Sequence, residues 1–341
     1  MMRIAVLGAS GYAGGELIKL LDMHPEFAAV RLGAHSQAGQ PLRNVHPHLA
    51  GGDRPLEVLD GHLGDVDLAF LALPHGASAR IGSEFLASGV KVVDLGSDFR
   101  LDTPARYESA YGTAHPLPEE LGNWVYALPE LFGDRLPQAT AAAAPGCYPT
   151  ASLLAVAPLL KAGAISHDNI IINALSGVSG AGRTLRDDLL FGAVDEGVRA
   201  YGVTKHRHRP EIEMGLESYA GLRRPVTFTP HLVPMQRGIL ATVTAPAAQG
   251  VTESDLRGVL LEFADPLPFV EVIDVPPQTR WVVGSNRALL SAYLDGASGQ
   301  AIVMCAIDNL VKGAAGQAIQ AANLMVGLPE TLGLPMSGWM P

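Results

Sequence analysis

Arg3-Ile4-Ala5-Val6-Leu7-Gly8-Ala9-Ser10-Gly11-Tyr12-Ala13-Gly14-Gly15-Glu16-Leu17-Ile18-Lys19-Leu20-Leu21 decides the fold. Residues 3–8 are an apolar run of strand length that ends in glycines. Residues 15–21 carry apolar side chains at helical spacing and stop ahead of Pro25. Glycines at 8, 11 and 14 allow a tight turn, close approach of backbone to a phosphate, and close helix–strand packing. The helix N-terminus then offers free N–H groups and a positive dipole end to a pyrophosphate. The spacing is G-x-x-G-x-x-G rather than G-x-G-x-x-G, so the place of the turn between first strand and first helix carries the reading. The alternative is a plain glycine-rich turn. Gly8, Ser10, Gly11, Tyr12, Ala13 and Gly14 are the candidate dinucleotide contacts.

Outward from this unit, apolar runs recur at 28–34, 68–73, 90–95 and 139–144, separated by helical or irregular segments. Their hydrophobicity is continuous rather than alternating, which predicts strands buried on both faces of a parallel sheet. The first domain is therefore expected to be a Rossmann-like, doubly wound α/β domain. After about residue 150 the strand-like runs at 169–175, 226–228, 238–244 and 301–306 are richer in β-branched residues and sit further apart. They predict an α+β domain with a mixed or antiparallel sheet. Residues 308–326 read as a small-residue helix that can pack closely, back on the first domain.

A dinucleotide site for NAD usually ends its second strand in Asp or Glu, which holds the ribose 2′-OH. Here the strand runs out as Leu32-Gly33-Ala34-His35-Ser36-Gln37, without a carboxylate. Ser36 and Gln37, with His35 or Arg31, suit a 2′-phosphate instead, so NADP(H) is expected over NAD(H).

The 341 residues exceed what one core usually fills, and 48% hydrophobic against 17% charged residues predicts a well-packed enzyme. A net charge of −10 argues against nucleic acid or an anionic membrane as main partner. No uninterrupted apolar run reaches the length of a membrane span, and Met1-Met2-Arg3 leads straight into a strand without a signal-peptide core. Cys147 and Cys305 cannot form a disulfide framework. A cytoplasmic enzyme acting on a small molecule is expected.

Pro145-Gly146-Cys147-Tyr148-Pro149-Thr150 follows a strand candidate and precedes a helical run over 151–161. Pro149 suits the first turn of that helix, and Cys147 falls at its N-terminus. There the dipole lowers a thiol pKa and free N–H groups can stabilise an oxyanion, the setting of a nucleophilic cysteine. Cys305, inside an apolar run, reads as a buried structural thiol. A proton partner comes from Lys205-His206-Arg207-His208-Arg209-Pro210-Glu211. On an extended segment His206 and His208 face one way, while Pro210 and Glu211 resemble the first turn of a helix. This block reads as a general acid/base flanked by cations for an anionic substrate. Metal binding by H-x-H lacks a nearby third ligand, and a solvated basic turn is the bland alternative. His46, His48, His62, His115 and His167 carry no spacing signal and read as surface or packing residues.

These motifs together resemble the N-acetyl-gamma-glutamyl-phosphate reductase family, the arginine-biosynthetic branch of the aspartate-semialdehyde dehydrogenase superfamily. The resemblance runs nearly end to end. It takes in Gly8–Gly14, Leu73-Pro74-His75-Gly76, Val93-Asp94-Leu95-Gly96-Ser97-Asp98-Phe99-Arg100 and Tyr126-Ala127-Leu128-Pro129-Glu130. It continues through 145–150, Ser176–Arg183, His206–Glu211, Phe228–Pro234 and Asp308–Gly313. Cysteine followed by Tyr-Pro-Thr is its most specific part. Ala144 departs from the pattern, since many members carry Asn there.

The resemblance implies an NADP-binding domain from residues 1–146 and 308–341, and a catalytic and oligomerisation domain from 147–307. It implies reversible NADPH-dependent reduction of N-acetyl-L-glutamyl 5-phosphate to the 5-semialdehyde and phosphate, in a homodimer or homotetramer. Cys147 would form a thioester, with His208 as acid/base and His206 as its substitute. Arg100 would bind the leaving phosphate. Lys205, Arg209 and Glu211, with Arg207, would form the surroundings of the substrate's polar groups. Ser176, Gly177 and Asn309 would approach the nicotinamide end. The nearest alternative is a lysine-biosynthetic relative that reduces carrier-linked 2-aminoadipyl phosphate. Another acyl-phosphate reductase and a non-catalytic NADP-binding sensor are the others.

Overall fold

A computed structural model describes residues 1–59 and 64–340 of the chain; His62 lies outside the described residues. In chain order the elements begin β1 (Met2–Leu7), α1 (Tyr12–Leu21), β2 (Phe27–Gly33), β3 (Leu68–Leu71), α2 (Ser78–Ala87) and β4 (Lys91–Asp94). Next come α3 (Pro104–Tyr111), β5 (Val125–Tyr126), α4 (Pro129–Phe132), β6 (Ala141–Ala143), α5 (Cys147–Lys161) and β7 (Ile171–Gly177). Then follow α6 (Phe191–Val194), β8 (Arg199–Ala200), α7 (His208–Ala220), β9 (Thr227–Val233), β10 (Ile239–Pro246) and α8 (Glu253–Ala264). The chain ends with β11 (Val270–Val272), β12 (Ala288–Asp295), β13 (Gln300–Ile307) and α9 (Gly316–Met325).

Two compact units result, Met1–Pro145 with Ala314–Leu334, and Gly146–Gly313 with Pro335–Pro341. The division expected from the resemblance put Gly146, 308–313 and 335–341 in the first unit. They fall in the second because their hydrogen bonds do: Asn309 Oδ1 accepts the Gly238 N–H at 2.8 Å, Pro335 O accepts the Asn286 N–H, and the Trp339 N–H reaches Val283 O.

The first unit is a six-stranded sheet in the order β2-β1-β3-β4-β6-β5, parallel throughout. Ile4, Ala5, Val6, Leu68, Ala69, Phe70 and Leu71 have no exposed surface, as continuous apolar runs predict for strands covered on both faces. The order reverses between β1 and β3, which opens a crevice beyond their C-terminal ends. Buried polar contacts hold α9 in this unit: His24 Nε2 lies 3.1 Å from Asn323 Oδ1, and Gln320 Nε2 donates to Glu130. The helix expected over 308–326 begins later. Residues Val311–Ala315 form a wide π turn, and regular α-helix starts only at Gly316.

The second unit carries a seven-stranded mixed sheet in the order β11-β12-β13-β10-β7-β9-β8. β7–β9 and β11–β12 pair in parallel and the remaining neighbours antiparallel. Along β10, buried and half-buried residues alternate, so one face is packed and the other is not. α5 packs on β10, β13 and α7, and its residues from Tyr148 to Leu160 are buried. This central burial fixes where α5 begins, and therefore where Cys147 sits.

Candidate active site

In the first unit the glycine turn has steric causes at two positions. Gly8 has φ +79°, and a Cβ there would lie 2.1 Å from Ala72 O. A Cβ on Gly14 would lie 2.2 Å from Gly8 O and 2.9 Å from Ala9 Cα, so helix and turn touch through it. Gly11 differs, since a Cβ there would make only an ordinary contact, 3.4 Å from Gly8 O. Gly11 is the N-cap of α1, which has no side-chain cap and no acidic residue in its first turn. Ser10 and Ala13 are half-buried and Tyr12 is exposed on that rim. A methyl-free cradle at an uncapped helix end fits a dinucleotide pyrophosphate. His46 supports it from below, with Nε2 2.9 Å from Ala9 O.

At the end of β2, His35 and Ser36 are exposed and Gln37 is half-buried. Arg31 is not at their disposal in the expected way: its guanidinium grips the Glu57 carboxylate through Nε and Nη2, at 2.8–3.1 Å. Arg100 lies in the same unit, where Nε donates to Ala144 O at 2.9 Å and Nη2 to Leu95 O at 2.8 Å. It thus ties together the ends of β4 and β6, the second of which runs on in sequence to Pro145-Gly146-Cys147. Asp94, fully buried at the end of β4, accepts the Gly96 N–H, and burial pushes its carboxyl up to about 7. Asp98 accepts N–H groups from Gly76, Ser78 and Ala79, so the first turn of α2 already holds a carboxylate.

In the second unit Cys147 is the first residue of α5 and is partly exposed, whereas Cys305 on β13 is fully buried. His206 and His208 do not sit on an extended segment as expected. A turn with Thr204 at φ 65° precedes them, and His208 opens α7. Straddling the helix start still brings the rings together, with centroids 4.8 Å apart. They stand 5.7 and 5.9 Å from the ring of Tyr148, the residue after Cys147.

The two histidines are chemically unequal. His206 Nδ1 accepts the His208 backbone N–H at 3.2 Å, which puts the proton of a neutral ring on Nε2. Burial, reinforced by the Arg207 cation, lowers the His206 pKa to about 4. Tyr201 donates to Tyr148 Oη at 3.2 Å, and Tyr148 donates to His231 O. Burial raises both phenols, Tyr201 to about 12, so they are neutral around the site.

The remaining candidates divide by exposure. Lys205 is exposed, and Arg209 lies 3.6 Å from Glu213. Glu211, expected among the substrate contacts, is only 1% exposed, and its Oε1 accepts the Gly146 N–H at 2.8 Å. Ser176 and Gly177 are buried, with Ser176 Oγ donating to Gly177 O. Asn309 spends its amide on Ser179 Oγ and the Gly238 N–H. Three participants were not singled out as site residues from the sequence. Tyr201 joins through Tyr148, and Gly313 packs so closely that a Cβ would lie 2.7 Å from Cys147 Cβ. Buried Asp308 accepts from Arg237 at 3.1 Å and from the Gly284 N–H at 2.7 Å. Among the described residues no group of three or more His, Cys, Asp or Glu side chains is arranged to hold a metal ion. No helix among them is long and apolar enough to cross a membrane.

Residues 3–139 match the family described as semialdehyde dehydrogenase, NAD binding domain, and 147–309 match semialdehyde dehydrogenase, dimerisation domain. The chain is 48% identical, over the whole of both sequences, to N-acetyl-gamma-glutamyl-phosphate reductase of Heliobacterium modesticaldum. It is 46% identical to a probable chloroplastic N-acetyl-gamma-glutamyl-phosphate reductase of Arabidopsis thaliana, covering 98% of this chain and 84% of that one. The crystal structure of aspartate semialdehyde dehydrogenase II from Vibrio cholerae superposes with a TM-score of 0.73 at 18% identity, over 96% of this chain and 99% of that one. A shared fold at that identity, and nearly half the residues shared end to end with the reductases, have one reading: the chain belongs to the N-acetyl-gamma-glutamyl-phosphate reductase family of the semialdehyde dehydrogenases.

Proposed function

We propose that the chain reduces N-acetyl-L-glutamyl 5-phosphate to N-acetyl-L-glutamate 5-semialdehyde and phosphate, reversibly and with NADPH, through a thioester on Cys147. The observation that carries this is a partly exposed thiol on the first residue of α5, followed by Tyr148, whose ring stands 5.7 and 5.9 Å from those of a histidine pair, in a chain 48% identical to a named reductase of that substrate. The acetylglutamyl name of the relatives favours this substrate over carrier-linked 2-aminoadipyl phosphate.

Cys147 as thiolate attacks the acyl carbon; the carbon–oxygen bond to phosphate breaks, phosphate leaves with the electron pair, and a thioester remains. The N-terminus of α5 favours the thiolate before attack and the developing oxyanion during it. The nicotinamide cofactor, when bound, supplies the hydride that takes the thioester to a thiohemiacetal. His208 gives the oxygen its proton and takes it back as the carbon–sulfur bond breaks to release aldehyde. His206 is the poorer base, because its Nδ1 lone pair is engaged and its Nε2 already carries the proton. Arg100 would receive the phosphate, its guanidinium matching a phosphate's geometry.

Gly8, Gly11 and Gly14 would cradle the cofactor pyrophosphate, and Ser36 with Gln37 a 2′-phosphate. The absence of a carboxylate at the end of β2 supports NADP(H). The match of 147–309 to a dimerisation domain supports a homodimer or homotetramer. Two cysteines in 341 residues, too few for a disulfide framework, support a reducing, cytoplasmic setting. The test is the reverse reaction, in which the protein, N-acetylglutamate semialdehyde, phosphate and NADP⁺ are mixed beside a Cys147→Ala control. Phosphate-dependent NADPH formation that vanishes in the control is expected. Silence from folded, NADP-binding protein would contradict the substrate assignment.

A further inference from the structure

Cys147 follows a residue, Gly146, whose backbone N–H and C=O are both held. Pro145 has no N–H and a fixed φ. Gly146, buried, has φ −67° and ψ 156° and is the N-cap of α5. Its carbonyl accepts from Thr150 N and Thr150 Oγ1, each at 3.0 Å. Its N–H points away from α5 and has no acceptor within that helix. Glu211 supplies one at 2.8 Å, across 65 residues of sequence. Glu211 is 1% exposed, so a ligand in solution does not reach it. It stands three residues after His208 on the opening turn of α7, a spacing that puts both on one helix face.

We propose that Glu211 is a positioning residue for the nucleophile and not a contact of the substrate. The helix that carries His208 grips the peptide that carries Cys147, so acid/base and thiol are set against each other by one buried hydrogen bond. The bond also completes the N-cap of α5, which keeps the thiolate on the end of the helix dipole. This rests on Cys147 being the nucleophile, but one arm of its test needs no substrate.

Glu211→Gln keeps an oxygen acceptor in the same shape, and Glu211→Ala removes it. In the first arm, alkylation of Cys147 by iodoacetamide is timed, with Cys147→Ala as blank; Cys305 is fully buried and stays silent. E211A should react roughly threefold to tenfold more slowly than wild type, and E211Q at close to the wild-type rate. In the second arm, the reverse reaction should show kcat of E211A down by roughly tenfold to a hundredfold with KM within about twofold, and rescue by E211Q. Equal or faster alkylation of E211A would overturn the proposal, even if N-acetylglutamate semialdehyde proves not to be a substrate. A raised KM with intact kcat in both variants would overturn it in favour of a substrate contact. If E211A does not fold, E211Q still decides: wild-type alkylation and KM support positioning, and a raised KM overturns it.

Discussion

His206→Asn isolates one titration that the site geometry makes unusual. The imidazole pKa is lowered to about 4, first by burial and then by Arg207, from an ordinary value of 6.5. A depressed folded pKa gives stability that is fully present above the unfolded value and lost as pH falls from 6.5 toward 4. At pH 5 the unfolded chain gains about 1.5 pH units of protonation that the folded site refuses, about 2 kcal/mol at 1.36 kcal/mol per unit. His206 is half-buried, so water screens part of this, and about 1–2 kcal/mol remains. Asn puts an oxygen where Nδ1 accepts the His208 N–H and has no charge to gain. Urea unfolding of both proteins at pH 7 and pH 5 should therefore show wild type losing about 1–2 kcal/mol more than H206N over that interval. Equal losses, or a larger loss in H206N, would refute both the neutral ring and the assignment of proton transfer to His208 that follows from it.

Gly14→Ala drives a methyl into Gly8 O and should cost about 1–3 kcal/mol and loosen NADP⁺ binding, whereas Gly11→Ala should keep its Tm and lose NADP⁺ affinity alone; thermal melts and titration fluorescence separate them. Asp94, raised to about 7, destabilises the fold increasingly as pH rises from about 4 to 7, so Asp94→Asn should gain up to a few kcal/mol over wild type at pH 8, about 1–2 kcal/mol at pH 5 and nothing near pH 3.5, read by urea unfolding at each. Arg100→Lys cannot span Ala144 O and Leu95 O together and should lose about 1–3 kcal/mol, with KM for phosphate in the reverse reaction up at least about tenfold; an unchanged phosphate KM would leave Arg100 as a brace only.

Much of the site's backbone was legible because local geometry writes local patterns. The turn from β1 to α1 needs glycine where a Cβ would strike Ala72 O or Gly8 O, and those positions are 8 and 14. Continuous apolar runs gave the parallel sheet away because both its faces are covered. The thiol at a strand-to-helix junction was visible for the same reason. What stayed hidden is contact between distant residues. Glu211 read as a helix-opening carboxylate among the substrate's surroundings, and only the packing of α7 on α5 brings it to Gly146. Asn309 was expected at the nicotinamide end, and its hydrogen bond to Gly238, set by the β10–β13 pairing, was not legible. Gly313 was read as part of a small-residue helix, with no sign that Cys147 is what leaves it no room. The short strands β5, β8 and β11 have too few residues to show a period.

The central claim is a thioester on Cys147, and a single turnover without phosphate tests it most directly. Protein, N-acetylglutamate semialdehyde and NADP⁺ are mixed in phosphate-free buffer, NADPH is followed, and the protein is then digested for mass spectrometry. The expected result is a burst of one NADPH per active subunit, an N-acetylglutamyl group on the peptide containing Cys147, and its release when phosphate is added. Steady NADPH formation without phosphate, or a burst that leaves Cys147 unmodified, would contradict the claim.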